Sequence, residues 1–322
     1  MRVAVAGTGS FAKHFIDELP AAGHEVVVLT RSHKVFLDGK TGVVEQRVTD
    51  YSSVAQLVKV LDDCDVLVST VFDPTNPSAD THLLLLEACK QTTKCKRFIP
   101  AEYGGNSEDF PEDEGSMDSH NVPLKKALRE QSEVEWTFIS LGWVMDYIVP
   151  SANRNHPDIG PLHPLDLSAG AMNIPGTGND VFSITSARDM TMAVAELLKS
   201  ANKWRPYTDV QGMETTWLEL AELMKSVGGM PDLKLSFESV NESQEALKKK
   251  ESHFSALIAE FKMLVPSGRC TFDQEKVKRD RAEHFPTVHF HTALELLEAV
   301  KQDPKVIISA RSPDRATHKW LE

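Results

Sequence analysis

The chain opens on a short apolar run, Val3 to Ala6, that stops abruptly at Gly7-Thr8-Gly9-Ser10-Phe11-Ala12. From Lys13 to Leu19 the apolar positions recur at helical spacing. After the Gly23-His24 turn, Glu25 to Thr30 is a second apolar strand, and Val43 to Val48 a weaker third. Asp50-Tyr51-Ser52-Ser53 reads as the cap of a helix reaching Leu61. Asp65 to Val71 is a fourth strand, Asp80 to Lys90 a helix with His82, Leu85, Leu86 and Cys89 inward, and Arg97 to Pro100 a fifth strand. Leu124 to Gln131 is again helical, and Trp136 to Leu141 reads as a sixth strand. Short, wholly apolar strands alternating with amphipathic helices predict an α/β fold: a doubly wound parallel sheet with right-handed crossovers.

The pattern changes after Tyr147. Asn153 to Pro164 is rich in Pro, Asn, His and Gly and predicts loops, followed by a turn at Ile174 to Asn179 and a short strand at Val181 to Ile184. Ser186 to Lys199 is an amphipathic helix, with Ser186 as cap and Asp189 three residues on. Thr216 to Ser226 places Trp217, Leu220, Ala221 and Met224 on one face. Glu242 to Lys262 reads as one long polar helix or a pair, Thr287 to Val300 as a final helix, and Ser309 to Glu322 as a loosely held polar tail. We therefore expect a nucleotide-binding domain over residues 1–150 and a smaller C-terminal α+β lobe over 151–322. The two are expected to interleave, with 186–199 packing back on the first domain.

Composition narrows the function. A net charge of −12 argues against a nucleic-acid surface, and no basic run suits an anionic membrane. No apolar stretch approaches the length of a membrane span, and the first strand begins at residue 1 or 2, which points to a cytoplasmic protein. Cys64, Cys89, Cys95 and Cys270 have neither C-x-x-C nor His/Cys metal spacing, so they read as reduced thiols and no metal is expected.

A G-x-G-x-x-A between a strand and a helix is a dinucleotide-binding turn. Gly7 permits the tight turn, Gly9 lets backbone approach a pyrophosphate, and Ala12 lets the helix pack close to the strand. Thr8, Ser10 and Phe11 complete this loop, and the helix N-terminus offers unpaired N–H groups to the anion. The second strand ends Thr30-Arg31-Ser32-His33-Lys34 with no acid before Asp38. A cation where an NAD site would place an acid predicts NADP(H), with Arg31 on the 2′-phosphate and Lys34 or Lys40 as a second charge. Thr70, Val71 and Phe72, ending the fourth strand, and Ala101 and Tyr103, ending the fifth, should also lie beside the cofactor.

Gly7 to Ala12, Arg31, the block Arg97-Phe98-Ile99-Pro100-Ala101-Glu102-Tyr103-Gly104, and Lys125 to Arg129 leading into Trp136 to Ser140 together resemble the NmrA-like and isoflavone reductase-like branch of the atypical short-chain dehydrogenases. The resemblance is close over the first 150 residues and general beyond them. Ala101 stands where many relatives have a serine, and no Tyr-x-x-x-Lys pair lies near Tyr103 or Tyr147.

The resemblance implies an NADPH-dependent reductase of a small aromatic or polyketide-like metabolite, acting at a conjugated C=C or a C=O, with Lys125 as general acid or base. Physically, hydride delivery leaves negative charge elsewhere on the substrate, and a desolvated cation or proton donor there lowers the barrier. Lys126, one residue along, should face away, and Arg129 should support the same face. His120 reads as a solvated loop residue. Trp143, Tyr147, Met172 and Phe182, with Met145 and Phe254, would wall an apolar substrate pocket. Two other readings remain: a non-catalytic NADP-binding redox sensor, and a redox-neutral cyclase or isomerase. A small-molecule substrate is the expected partner; a homodimer, or a regulatory protein in the sensor reading, is left open.

Overall fold

The computed structural model describes residues 1–72, 78–110, 122–249 and 252–309. The first half runs β1 (Arg2–Ala6), α1 (Ser10–Ala21), β2 (Glu25–Thr30), β3 (Val43–Val48), α2 (Val54–Leu61), β4 (Val66–Ser69), α3 (Ser78–Gln91), β5 (Arg97–Ile99), α4 (Val122–Glu130), β6 (Glu135–Trp136) and β7 (Phe138–Ser140). Strands β1 to β6 form one parallel sheet in the order β3-β2-β1-β4-β5-β6. In register, Ala6 stands beside Leu29 of β2 and Ser69 of β4. The carboxyl ends of the three central strands therefore finish level, where a doubly wound sheet opens its crevice.

Both faces of this sheet are buried, which is why its strands are apolar throughout rather than alternating. Side chains still alternate in direction. Val3, Val5, Val26, Val28, Val66 and Val68 enter one core, with Phe15, Ile16 and Leu19 of α1. Ala4, Ala6, Val27, Leu29 and Leu67 enter the opposite one, with Leu57 and Leu61 of α2, Leu85 of α3, and Leu124 and Leu128 of α4.

The second half runs β8 (Trp143–Val144), β9 (Leu165–Asp166), β10 (Ala171–Pro175), β11 (Phe182–Thr185), α5 (Ala187–Leu197), β12 (Tyr207–Asp209), β13 (Met213–Thr215), α6 (Trp217–Ser226), β14 (Lys234–Glu238), α7 (Val240–Lys249), α8 (His253–Met263), α9 (Gln274–His284) and α10 (Ala293–Gln302). Two three-stranded sheets, β14-β10-β9 and β13-β11-β8, share a third core with α6 and α10. The chain also returns to the first half. Met190, Val194 and Leu197 of α5, with Trp204, Phe285 and Phe290, lie in the α1 core. Arg188 of α5 pairs with Glu18 of α1 at 2.8 Å, and the His24 ring bonds the Ala195 carbonyl at 3.0 Å.

Several local expectations give way to tertiary contacts. The sixth strand splits at Thr137: its hydroxyl bonds that of Thr208 at 2.9 Å, and β7 leaves the main sheet to pair with β12. Ser186 makes no side-chain cap on α5. The Asp146 carboxylate takes the Ala187 N–H instead at 2.8 Å, and Asp189 holds His291. For the polar stretch 242–262 the structure selects the second of the two expected forms, a pair of helices, the latter capped by Ser252 and Ser255. Ser309 is buried, its hydroxyl donating to Asp146 and accepting the Asn155 N–H. The sequence between Glu108 and Asp118 is rich in acids and reads as a solvated loop; most of it, and His120, lie outside the described residues, while Glu108 pairs with Lys276 at 2.8 Å. All four cysteines are free and buried.

Phe182 is fully buried, with its ring centroid 4.5 Å from that of Trp217. Truncating it leaves a cavity that this rigid aromatic cluster cannot refill. Phe182→Ala should lower the unfolding free energy by about 3–5 kcal/mol, measured by chemical denaturation.

Candidate active site

The site is built at the level ends of β1, β2 and β4. Gly7 turns the chain with φ +102°, donating its N–H to Leu29 O at 3.0 Å. A Cβ there would stand 2.6 Å from Thr70 Oγ1. Thr70 is in turn fixed, its N–H and its hydroxyl both donating to Ala6 O at 2.8 Å. Gly9 is the N-cap of α1, with no side-chain cap and no acid in the first turn. A Cβ on Gly9 would meet nothing within 4 Å. The result is an open approach to a helix N-terminus whose first amides have no side-chain partner, a donor set that suits a pyrophosphate. Ala12 is fully buried in the α1 core, so its small side chain serves close packing. Thr8, Ser10 and Phe11 are half-buried along the same loop.

At the end of β2, Arg31 is exposed and makes no ion pair among the described residues. Thr30 ties the turn down by donating to Ser32 O at 2.8 Å. Lys34 is clamped through its backbone by Gln46 of β3, and its ammonium donates to Ser32 Oγ at 3.1 Å. Arg31 and Lys34 thus share one short turn. Lys40 does not join them: its ammonium lies 2.6 Å from Asp17 of α1, which neutralises it there. Tyr51, which sequence reasoning did not single out, sits beneath this corner with φ 63°. Its buried hydroxyl donates to Leu29 O at 2.7 Å, the same carbonyl that receives the Gly7 N–H.

The ends of β4 and β5 are locked by a buried histidine. The Ala101 N–H donates to His82 Nε2 at 3.4 Å, so that nitrogen is an acceptor and the Ser69 hydroxyl, 2.9 Å away, donates to it too. The Val71 N–H donates to Ser69 Oγ at 3.2 Å. Tyr103 donates to Ser69 O at 2.7 Å, and burial pushes its hydroxyl far above the ordinary range. Its ring packs against Phe11 at 5.1 Å and Phe15 at 5.7 Å. Val71 is half-buried, whereas Phe72 is 64% exposed.

Lys125 points inward from α4 and is 1% exposed, while Lys126 faces solvent. The Lys125 ammonium stands 2.7 Å from Glu102 Oε1 and 5.9 Å from the centroid of the Phe138 ring. Ser107 donates its hydroxyl to the same carboxylate oxygen. Lys125 thus belongs to a buried pair with Glu102, a residue of the Arg97 to Gly104 block to which the sequence reading gave no role. Arg129 bonds the Tyr207 hydroxyl at 3.1 Å. The loop bearing Glu102 is docked on the second half, with the Asn106 N–H donating to Arg269 O at 2.6 Å.

The expected substrate wall divides. Trp143, Met145, Met172 and Phe182 are closed inside the third core, because β8 with the turn after it, β10 and β11 place these side chains against α6 and its neighbours. Phe254 is exposed. Tyr147 lines an open cleft of about 420 Å³, with Arg154, Ile159, His163, Leu165 and Leu167. Burial pushes the His163 imidazole down to about 4, so it is neutral in the cleft at pH 7. Ring contacts join this cleft to the glycine loop: Tyr147 to His156 at 5.9 Å, His156 to Phe11 at 4.9 Å, and Phe11 to Tyr103 at 5.1 Å.

A glycine turn with an open helix N-terminus, beside a buried lysine, defines a nucleotide-dependent enzyme of Rossmann type, and comparison with known proteins agrees. The family model described as NAD(P)H-binding matches residues 6–156. Oxidoreductase swnR of Arthroderma benhamiae is 36% identical over 96% of this chain and all of its own length, and that of Metarhizium robertsii 35% over the same shares. A bifunctional pinoresinol-lariciresinol reductase of Linum usitatissimum is 26% identical over 67% of this chain and 73% of its own. Among solved structures, "AtPrR2 with NADP+ and (+)pinoresinol" superposes with a TM-score of 0.74, at 21% identity over 92% of this chain and 98% of that one. A ternary complex of leucoanthocyanidin reductase from Vitis vinifera gives 0.72, at 19% identity over 93% and 99%. The chain belongs to the isoflavone reductase-like family of NAD(P)H-binding oxidoreductases. Among the described residues, no helix is long and apolar enough to cross a membrane.

The two glycines should respond differently to the same substitution. Gly9→Val should melt within a few degrees of the parent yet lose the stabilisation that NADPH confers, because its side chain fills open space over the helix N-terminus. Gly7→Val should itself lower the melting temperature, since it combines positive φ with a collision against Thr70. Thermal melts with and without NADPH read both.

Proposed function

We propose that the chain is an NADPH-dependent reductase of a small aromatic or polyketide-like metabolite, acting at a conjugated C=C or a C=O. The observation that carries this reading is the buried pair of Lys125 with Glu102, whose loop also holds Tyr103 against Phe11. Bound NADPH supplies the hydride. The backbone at Gly7, Thr8 and Gly9, with the first turn of α1, holds the pyrophosphate. Arg31, assisted by Lys34, takes the 2′-phosphate. Ala101 and Tyr103, locked through His82 and Ser69, form the floor at the reacting end.

Lys125 holds a positive charge, and a proton at Nζ, toward the atom that becomes negative as the substrate is reduced. Exclusion of water from around this side chain strengthens that interaction. Glu102 and Ser107 fix the ammonium in place. The cleft at Tyr147, with neutral His163 and the Leu165 and Leu167 side chains, suits a flat, weakly polar molecule. A redox sensor would need the nucleotide site but gives no reason to bury an ammonium–carboxylate pair beside it.

Charge-assisted hydrogen bonds to a phosphate contribute about 1.5–3 kcal/mol each. NADPH should therefore bind at least about tenfold more tightly than NADH. Arg31→Ala should erase most of that difference in a fluorescence or calorimetric titration, and equal affinities in the parent protein would remove Arg31 as the discriminator.

With a substrate found from a panel of enones and quinones, Lys125→Ala should lower kcat by roughly a hundredfold or more. The Kd for NADPH should change little. Lys126→Ala, on the solvent face, should keep full turnover. Retained turnover in Lys125→Ala would refute the mechanism.

A further inference from the structure

Away from the Lys125–Glu102 pair, three buried side chains from distant parts of the sequence converge. α1 carries His14, the short 3-10 turn after β8 carries Asp146, and the loop beyond it carries His156. His14 and Asp146 are fully buried and His156 is 4% exposed. One donor atom from each lies within 4.8 Å of the other two. The imidazoles stack at 5.2 Å with an interplanar angle of 22°.

All four ring nitrogens lack a hydrogen-bond partner among the described residues. Each neutral imidazole has one N–H to give and one lone pair to receive, and a buried orphan of this kind costs about 1–3 kcal/mol. Each ring therefore carries a lone pair that no donor among the described residues meets. Asp146 accepts the Ala187 N–H at 2.8 Å and the Ser309 hydroxyl at 2.9 Å, one on each oxygen, and each oxygen keeps a second lone pair. The nearby Arg154 guanidinium is committed elsewhere, donating to Val149 O, His156 O and Asp158. The Asp146 side chain thus faces two imidazoles whose ring nitrogens have no partner among the described residues.

The geometry points to a divalent transition-metal site formed by His14, Asp146 and His156, taking an ion of the zinc, cobalt or nickel type. Two imidazole nitrogens and one carboxylate oxygen are the donor set these ions prefer, whereas calcium and magnesium favour oxygen alone. Bonds of about 2.0–2.1 Å to a tetrahedral ion place neighbouring donors roughly 3.3 Å apart, so the side chains close by about an ångström or so around it. The ion receives one lone pair from each ring, balances the Asp146 charge, and leaves a fourth position for water. Its place matters for the fold. It ties α1 to the turn that leads out of the first half and, through the Asp146 bond to Ala187, to the start of α5.

The test uses the full chain, stripped with a chelator and titrated with Co²⁺ and then Zn²⁺. We expect one ion per chain, a tetrahedral visible absorption band from Co²⁺ that Zn²⁺ displaces, and a higher melting temperature with either metal. His156→Ala and His14→Gln should each abolish the band. His289→Ala should keep it; that ring packs against His291 at the surface and offers the obvious adventitious site. No cobalt band in the parent protein would mean that water fills the cluster and would overturn the proposal. So would a band that survives both His156→Ala and His14→Gln, or one that is lost in His289→Ala.

Discussion

The close approach of α1 to the end of β1 is the constraint on which the rest of this molecule depends. Gly7 bends the chain through a conformation that a side chain would oppose, and Thr70 occupies the space where its Cβ would stand. That single turn sets two outcomes. It leaves the N-terminus of α1 open above the level strand ends, and it lays Phe15, Ile16 and Leu19 along the sheet. Because α5 packs on the same core, the second half of the chain is oriented by the helix that starts at the nucleotide loop. The Arg188–Glu18 pair and the His24–Ala195 bond fasten this seam at two further points.

The two halves also meet beside the Lys125–Glu102 pair. The loop after β5 carries Glu102 and Tyr103, and its Asn106 is held by backbone of the second half at Arg269 and Thr271. Lys125 arrives from α4 on the opposite side. An ion pair buried to this degree is weak evidence for stability, because removing both charges from water offsets much of their attraction. Its value lies in orientation: removing either partner would leave an uncompensated charge, so neither side chain is free to wander. The same reasoning covers the His82–Ser69 link, which sets the ends of β4 and β5 relative to each other by two bonds to one nitrogen.

Much of the nucleotide side was legible in the sequence because its signals are local. A glycine that needs positive φ is followed by a helix within three residues, and the cation ends the very next strand. The two neighbouring lysines were separable for the same reason, since a helix turns adjacent residues about a hundred degrees apart. The substrate side was not legible in this way. Trp143, Met172 and Phe182 have the composition of a pocket wall and the location of a core, and only the direction in which β8, β10 and β11 face α6 separates the two. Lys40 misled for a similar reason: its neighbour in space is Asp17, more than a turn of helix beyond the glycine loop.

What the sequence determined by itself was the alternation of buried strands and amphipathic helices, the glycine turn, and hence the parallel sheet with a nucleotide crevice at its carboxyl edge. Periodicity and backbone conformation are properties of contiguous residues, and they survive without knowledge of the fold. What only the tertiary structure decided was which polar groups meet once buried. Asp146 replaces Ser186 at the start of α5, Glu102 takes Lys125, and His14 comes to lie against His156. In each case the partners are brought together by packing of elements far apart in the chain, and a buried polar group must take whichever partner that packing delivers.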